Sequence, residues 1–117
     1  MSNLIIYNKI IPFKGYKAIN LFGIIFVRTG SYFSSRDLLH EKIHTAQMRE
    51  MLFIFFYIWY VLEFSIRFII SLFRHRSDNG YWYDAYVNIS FEKEAYQNQI
   101  YPEFLSKRKH FNWIKFL

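Results

Sequence analysis

Residues 35–51 read SRDLLHEKIHTAQMREM and contain the pattern H-E-x-x-H at positions 40–44. In an α-helix, His40 and His44 lie one turn apart on the same face, so both imidazoles can reach one metal ion. Glu41 lies beside them, where it can accept a proton from an attacking water. Two histidines, a carboxylate base and one further ligand make up a zinc hydrolase site. The stretch therefore predicts a zinc centre with Glu41 as catalytic base. The alternative is a surface helix with two solvated histidines.

Local signals favour a helix over residues 35–50. Ser34 and Ser35 offer N-cap hydroxyls, and Asp37 places a negative charge in the first turn, where the helix dipole favours it. No glycine or proline occurs from residue 31 to 79. The residues at helical spacing form an apolar stripe, expected to face the core, and a polar stripe, expected to face a cleft. These stripes consist of Leu39, Ile43 and Ala46, and of Asp37, His40, His44 and Gln47.

The composition limits the class of protein. A chain of 117 residues is expected to form one domain, and without cysteine it has neither a disulfide nor a thiolate ligand. A net charge of +6 and an aromatic content of 23% favour contact with an anionic membrane surface. They would also suit single-stranded nucleic acid, but no RNA- or DNA-binding motif is present, so we predict no nucleic-acid partner. The N-terminus lacks the pattern of a signal peptide.

Residues 3–28 are rich in β-branched side chains and predict a β-hairpin. The runs 3–11 and 17–28 flank a turn marked by Pro12, Lys14 and Gly15, and a break near Gly23 would divide the segment into three strands. A strand there could pair with an extended peptide substrate or simply cover the apolar side of the motif helix.

Residues 51–73 form an apolar run that is about 34 Å long as a helix, enough to cross a bilayer. Glu63 and Arg67 interrupt it and can pair on one helix face, since a charge pair in lipid must face protein. The run can therefore be a simple span, or a helix that lies in the membrane interface or is buried in an oligomer. Residues 36–73 could also form one long or bent helix.

The C-terminal third predicts a turn, a loop and a helix. Residues 77–80 form a turn and 81–90 an irregular loop. Asn88 or Ser90 can cap a helix over 90–101 that carries Glu92 and Glu94 in its first turn. A short helix is expected over 103–109. The basic and aromatic tail, 107–117, suits an interfacial anchor or a solvated tail, and His75 and His110 are expected to be solvated or lipid-facing.

The pairing of H-E-x-x-H with a later E-x-x-A resembles the gluzincin metallopeptidases, in particular minigluzincins and membrane-bound CaaX-type endopeptidases. There the second motif is E-x-x-A-D, and its first Glu binds zinc. Here Glu92 and Ala95 match, whereas Tyr96 replaces the Asp that braces a motif histidine. The chain is also similar to small bacterial membrane-associated proteins with H-E-x-x-H-x-x-Q and F-E-x-E-A-Y. The resemblance implies a zincin-like single domain. Together with the predicted N-terminal β-hairpin and the long apolar helix, it gives an expected α+β fold whose second part is mainly helical.

By this resemblance His40, His44 and Glu92 would bind Zn²⁺ and Glu41 would act as base in a peptidase at a membrane, expected to be the bacterial inner membrane. Glu94 is the rival ligand. Gln47 could orient His44 or the substrate. A tyrosine is expected to stabilise the oxyanion, with Tyr83, Tyr86 and Tyr96 as candidates. The alternatives to a peptidase are a non-enzymatic membrane protein, with a structural metal or none, and a metal-dependent hydrolase of a lipid amide or ester.

A straight membrane span would separate Glu92 from the histidines by about 30 Å. Non-helical backbone cannot cross bare lipid, so the span and the metal centre conflict. The site could lie within the membrane depth, shielded by protein. The apolar helix could instead dip into one leaflet, or lie along it, and return, or Glu92 could come from a second chain. We favour the helix that lies along one leaflet, with lipid and a peptide or protein substrate as partners and a homodimer as a further possibility.

Overall fold

A computed structural model describes residues 4–12, 16–74 and 80–117. The fold is α+β, with a three-stranded sheet at the N-terminus followed by helices, one of them long and apolar. The elements are β1 (Leu4–Asn8), β2 (Ala18–Leu21), β3 (Ile24–Arg28), α1 (Ser35–Glu50), α2 (Ile54–Arg74), α3 (Tyr81–Val87), α4 (Ser90–Asn98), α5 (Phe104–Lys107) and a 3₁₀ helix (Asn112–Phe116). Lys14, Gly15, His75 and residues 77–79 of the predicted turns lie outside the described residues.

The hairpin expected between the runs 3–11 and 17–28 is wrong, because β1 pairs with β3 in parallel and not with β2. The hairpin is formed by β2 and β3, which a two-residue turn joins. Their turn is Phe22-Gly23, and both residues have positive φ (54° and 88°), as a type I′ turn requires. The break near Gly23 is therefore the hairpin turn, and the segment has three strands. β1 adds to the other side of β3 in parallel, giving the order β1-β3-β2.

Polar contacts hold β2 against the motif helix. Asn20 Nδ2 donates to the Glu41 carbonyl and to Thr45 Oγ1, both at 2.8 Å. The Tyr57 hydroxyl of α2 accepts from Phe22 N at 2.9 Å, at the hairpin turn. The sheet is thus fixed to α1 and α2 beside the metal-binding motif.

A sharp break separates α1 from α2, so a single helix over 36–73 is wrong. Leu52 and Phe53 have φ values of 53° and 61°, in the left-handed region. Such a conformation costs a side-chain-bearing residue roughly 1–2 kcal/mol. Burial offsets this cost, since Met51 and Phe53 pack against the core cluster around Met48.

The segment 81–90, expected to be an irregular loop, contains the helix α3, so that expectation is wrong. Trp82 packs against Phe64 and Phe68 of α2, with ring centroids 4.8 and 6.2 Å apart. The alternative of a solvated C-terminal tail over residues 107–117 is also wrong. Trp113 is buried and its ring lies 4.8 Å from that of Phe91 in the core. Both segments owe their structure to aromatic packing on other helices, which local sequence patterns do not report.

Candidate metal centre

The helix that carries the motif begins at a complete capping box. Ser34 Oγ accepts from Asp37 N, and Asp37 Oδ2 accepts from Ser34 N. Of the two predicted N-cap serines, Ser34 is the one used. Both predicted stripes of α1 are largely buried, because α4 packs across the polar one. The histidines are 8% and 6% exposed, so the alternative of a surface helix with solvated histidines is wrong.

Three ligand atoms meet at one point between α1 and α4. His40 Nε2 and His44 Nε2 are 3.1 Å apart, and each lies 3.2 Å from Glu92 Oε1. An ion about 2.0–2.1 Å from each ligand at tetrahedral angles would separate them by about 3.3 Å. This buried group of two histidines and a carboxylate can hold a metal ion.

Amide oxygens hold the far side of both imidazoles. His40 Nδ1 lies 2.8 Å from Gln99 Oε1, and His44 Nδ1 lies 2.8 Å from Gln47 Oε1. An oxygen there accepts the N–H of the Nδ1 tautomer, which leaves the Nε2 lone pair free for a metal. Tyr96, at the position where the gluzincins have an Asp, packs edge-on against the His40 ring, 4.5 Å away.

The second oxygen of Glu92 is held by a helix outside the two motifs. The Tyr60 hydroxyl of α2 donates to Glu92 Oε2 at 2.7 Å. Glu94, the rival ligand, points away and accepts from Gln47 Nε2 at 2.8 Å. Among the described residues the metal group comprises His40, His44 and Glu92.

A buried carboxylate on α2 sets the start of the Glu92 helix. Glu63 accepts from Ser90 N and Ser90 Oγ, both at 2.6 Å. The predicted caps are therefore not used: Ser90 is already helical, and Asn88 bonds the Asp84 carbonyl. Glu63 is 4.0 Å from Arg67, so the predicted pair is a minor contact beside these two bonds.

In the metal-free centre, the charges of Glu92 and the histidines stabilise each other. Burial disfavours an imidazolium, but the Glu92 carboxylate outweighs it and raises the pKa of His44 to about 9. Burial alone would raise the pKa of Glu92, yet His44 and His40 hold it well below its usual range. Without a metal, the centre therefore pairs the Glu92 carboxylate with a positive charge on His44.

Glu41 directly follows His40 in α1 and is partly buried. Burial raises the pKa of its carboxyl, and the charges of both histidines and of Glu92 act on it. Two of the three candidate tyrosines, Tyr86 and Tyr96, form a hydrogen bond between their hydroxyls at 3.0 Å. Burial raises the pKa of both hydroxyls and the charges of Glu92 and Glu41 raise it further, although the bond to Tyr86 lowers the pKa of Tyr96, so both hydroxyls are neutral. The Tyr96 ring lies 4.5 Å from that of His40, which places this pair beside the centre. Tyr83 is half exposed.

Sequence reasoning missed Gln99, Tyr60 and Glu63. Gln99 had a signal, because it lies seven residues after Glu92 and so on the same helical face. Tyr60 and Glu63 had no such signal. They lie in an apolar run, and only the packing of α2 against α4 brings them to the site.

No protein-family model, curated protein or solved structure matches the chain.

Proposed function

We propose that this protein is a zinc-dependent peptidase that acts at a membrane. The observation that carries the proposal is the meeting of His40, His44 and Glu92 within 3.2 Å. Glu41 directly follows His40 on the same helix. The same chain supplies all three ligands, so the centre needs no second copy.

The donor set supports zinc. Two imidazole nitrogens and a carboxylate oxygen suit zinc, and zinc sites that act in catalysis keep three protein ligands and one open position. A structural site would use four protein ligands. Within the described residues three side chains converge, which favours a catalytic centre.

Each residue then has a distinct role. Zinc held there would lower the pKa of a bound water to about 7 and polarise the substrate carbonyl. Glu41 would accept the proton of the attacking water and deliver it to the leaving amine. Burial raises the pKa of the Glu41 carboxyl, which favours its uptake of a proton during the reaction. The Tyr86 or Tyr96 hydroxyl would donate to the developing oxyanion.

The edge of the sheet favours a peptide substrate. In the described part of the sheet, β2 pairs only with β3, so no strand covers its other edge, although the Tyr57 hydroxyl donates to the Asn20 carbonyl. Asn20 of β2 bonds the Glu41 carbonyl, which places this edge next to the motif helix. An extended peptide could add to β2 by main-chain hydrogen bonds and cross the centre.

The exposed face of α2 favours a membrane. The helix is long and apolar enough to span a bilayer, yet only 11% of its most apolar window is buried. The core helix of a soluble chain buries most of its length. Nine large apolar side chains are exposed instead: Ile54, Phe55, Ile58, Val61, Leu62, Ile66, Ile69, Leu72 and Phe73.

The packing of α2 favours a helix that lies along one leaflet. Tyr60 bonds Glu92 and Glu63 bonds Ser90, so α4 begins beside the middle of α2. If α2 crossed a bilayer, α4 and the metal centre would lie at hydrocarbon depth. If it lies in the interface, its exposed apolar face enters the lipid while the centre stays at the surface. The bacterial inner membrane is the expected location.

Metal analysis and the Glu41→Gln variant test the proposal. We expect one zinc ion per chain in both proteins, because Glu41 is not a ligand. Hydrolysis of a peptide library should fall about 10²- to 10⁴-fold in Glu41→Gln. Glu103→Gln, an exposed residue far from the motif in sequence, is the matched control and should retain activity.

Three results would contradict the proposal of a zinc-dependent peptidase. Full hydrolysis by Glu41→Gln would exclude the assigned base. Absence of zinc from the purified protein would favour the non-enzymatic membrane protein. Cleavage of lipid amides or esters but not of peptides would change the substrate class.

A further inference from the structure

A buried ion cluster joins the C-terminal segment to α1 and α4. Arg108, whose side chain is 5% exposed, donates to both oxygens of Glu50 at 2.8 and 3.0 Å. It also donates to both oxygens of Glu94, at 2.7 and 3.1 Å. Asn112 Nδ2 adds a further bond to Glu94 at 2.8 Å. The proposed reaction assigns no role to this cluster.

The direction of hydrogen bonding in the cluster is fixed. Arg108 can only donate and an ionised Glu94 can only accept. Glu94 Oε1 therefore takes a donor from Gln47, namely Nε2 at 2.8 Å. The same Nε2 donates to the Phe91 carbonyl at 3.0 Å, and a carbonyl also can only accept. Gln47 is thus held in one amide orientation by two acceptors.

This orientation determines the tautomer of His44. With its nitrogen committed to Glu94 and Phe91, Gln47 presents Oε1 to His44 Nδ1 at 2.8 Å. An amide oxygen cannot donate, so Nδ1 must carry the hydrogen. In the neutral ring the lone pair is then on Nε2, the atom that faces His40 and Glu92.

We propose that Glu94, oriented by Arg108, is a positioning residue that holds His44 in its metal-binding tautomer through Gln47. This inference rests on the proposed zinc centre. It makes the segment from Arg108 to Asn112 part of the site, although that segment contains none of the ligands. Glu94 thereby has a role other than that of a ligand.

Glu94→Gln and Glu50→Gln form a matched pair for the test. Both remove a buried carboxylate that pairs with Arg108, but only Glu94 contacts Gln47. Both oxygens of Glu94 accept hydrogen bonds, from Gln47, Arg108 and Asn112. In Glu94→Gln, the amide NH₂ would therefore face another donor whichever oxygen it replaced. Gln47 could then flip and present its own NH₂ to His44 Nδ1, which favours the wrong tautomer. We expect Glu94→Gln to raise the zinc Kd about 10- to 100-fold and Glu50→Gln to change it less than about threefold.

The readout is the zinc Kd of the full chain, measured by competition with a chromophoric chelator, with circular dichroism as the check on folding. Gln47→Met, whose thioether is only a weak acceptor for the His44 N–H, is the second variant and should raise the Kd at least about 10-fold. If Glu94 acts through Gln47, adding Glu94→Gln to Gln47→Met should have little further effect. A purely structural role for Glu94 would give additive losses.

The outcomes separate this inference from the proposed function. No zinc binding by the wild-type protein would overturn both. Zinc binding by the wild type with an unchanged Kd in Glu94→Gln or Gln47→Met would overturn only the positioning role. The positioning role would also be overturned if Glu50→Gln weakened zinc binding as much as Glu94→Gln does. Additive losses of zinc affinity in the double variant Glu94→Gln, Gln47→Met would overturn it too.

Discussion

At the scale of single residues, the metal centre depends on the groups that orient its ligands. Glu92 offers Oε1 to the histidines while Tyr60 holds Oε2 at 2.7 Å. That bond limits rotation of the carboxylate, and mutation of partners of this kind typically costs about 10- to 100-fold in metal affinity.

Tyr60→Phe should therefore weaken zinc binding about 10-fold, because the ring stays in the core while the hydroxyl is lost. Tyr57→Phe is the matched control. It also removes a hydroxyl from α2, but that hydroxyl contacts Asn20 and Phe22 at the sheet. We expect it to lower stability and leave the zinc Kd unchanged. The two Kd values, measured by chelator competition, check this, and equal effects of the two variants would contradict it.

The raised pKa of His44 predicts how the stability of the metal-free protein depends on pH. Its folded pKa is about 9, above the ordinary value of 6.5. Proton binding therefore stabilises the fold fully below pH 6.5, and this stabilisation is lost as the pH rises through about 9. Glu92, whose pKa is lowered, stays ionised throughout this range.

Urea unfolding between pH 6 and 9.5, with chelator and with zinc, measures this effect. We expect the free energy of unfolding to fall with pH in chelator. With zinc it should not fall, because the metal takes the place of the proton on Nε2. A metal-free protein that gains stability across this range would contradict the assignment.

At the scale of helices, Glu63 connects α2 to the helix that carries Glu92. Its carboxylate takes the place of the missing N-cap side chain of α4 and lies where the helix dipole favours a negative charge. The cost of burying Glu63 in an apolar helix is offset by these bonds. This explains why a charged residue occurs in the middle of the run 51–73.

Glu63→Gln should lower the free energy of unfolding by about 1–3 kcal/mol, because an amide loses the charge and presents an NH₂ to one of the donors. Glu103→Gln, on the exposed surface, should change it by less than about 0.5 kcal/mol. Chemical denaturation of both variants gives the comparison. An unchanged stability in Glu63→Gln would show that the cap contributes nothing.

At the scale of the whole molecule, one side of α2 holds the metal centre and the other is apolar and exposed. Ile58 and Ile66 are 58% and 49% exposed on the apolar side. Charges placed there would face lipid and should prevent insertion into the interface.

The double variant Ile58→Glu, Ile66→Glu should lose binding to vesicles of anionic lipid while it retains the fold. Leu4→Glu with Ile10→Glu is the matched control, since these apolar residues are 60% and 77% exposed at the N-terminal segment. Vesicle flotation measures the bound fraction. Unchanged binding of the α2 variant would exclude this face as the lipid contact.

Local geometry made part of this structure predictable. The i, i+4 spacing of His40 and His44 places them on one helix face whatever surrounds them, and Ser34 and Asp37 set the start of that helix. The helix with Glu92 and the long apolar helix follow from equally local patterns. The break at Leu52-Phe53 and the helix α3 did not, because packing against other elements opposes or replaces the local preference.

The amino-acid sequence by itself determined the pair of histidines, the neighbouring Glu41 and the two candidate glutamates. Only the tertiary structure decided that Glu92 faces the histidines while Glu94 faces Gln47 and Arg108. The physical reason is that both glutamates lie in the first two turns of α4, and the rotation of α4 about its axis is set by contacts with other helices. Those contacts join Tyr60, Glu63 and Arg108 to α4, and these residues are too distant in sequence for any periodicity to connect them.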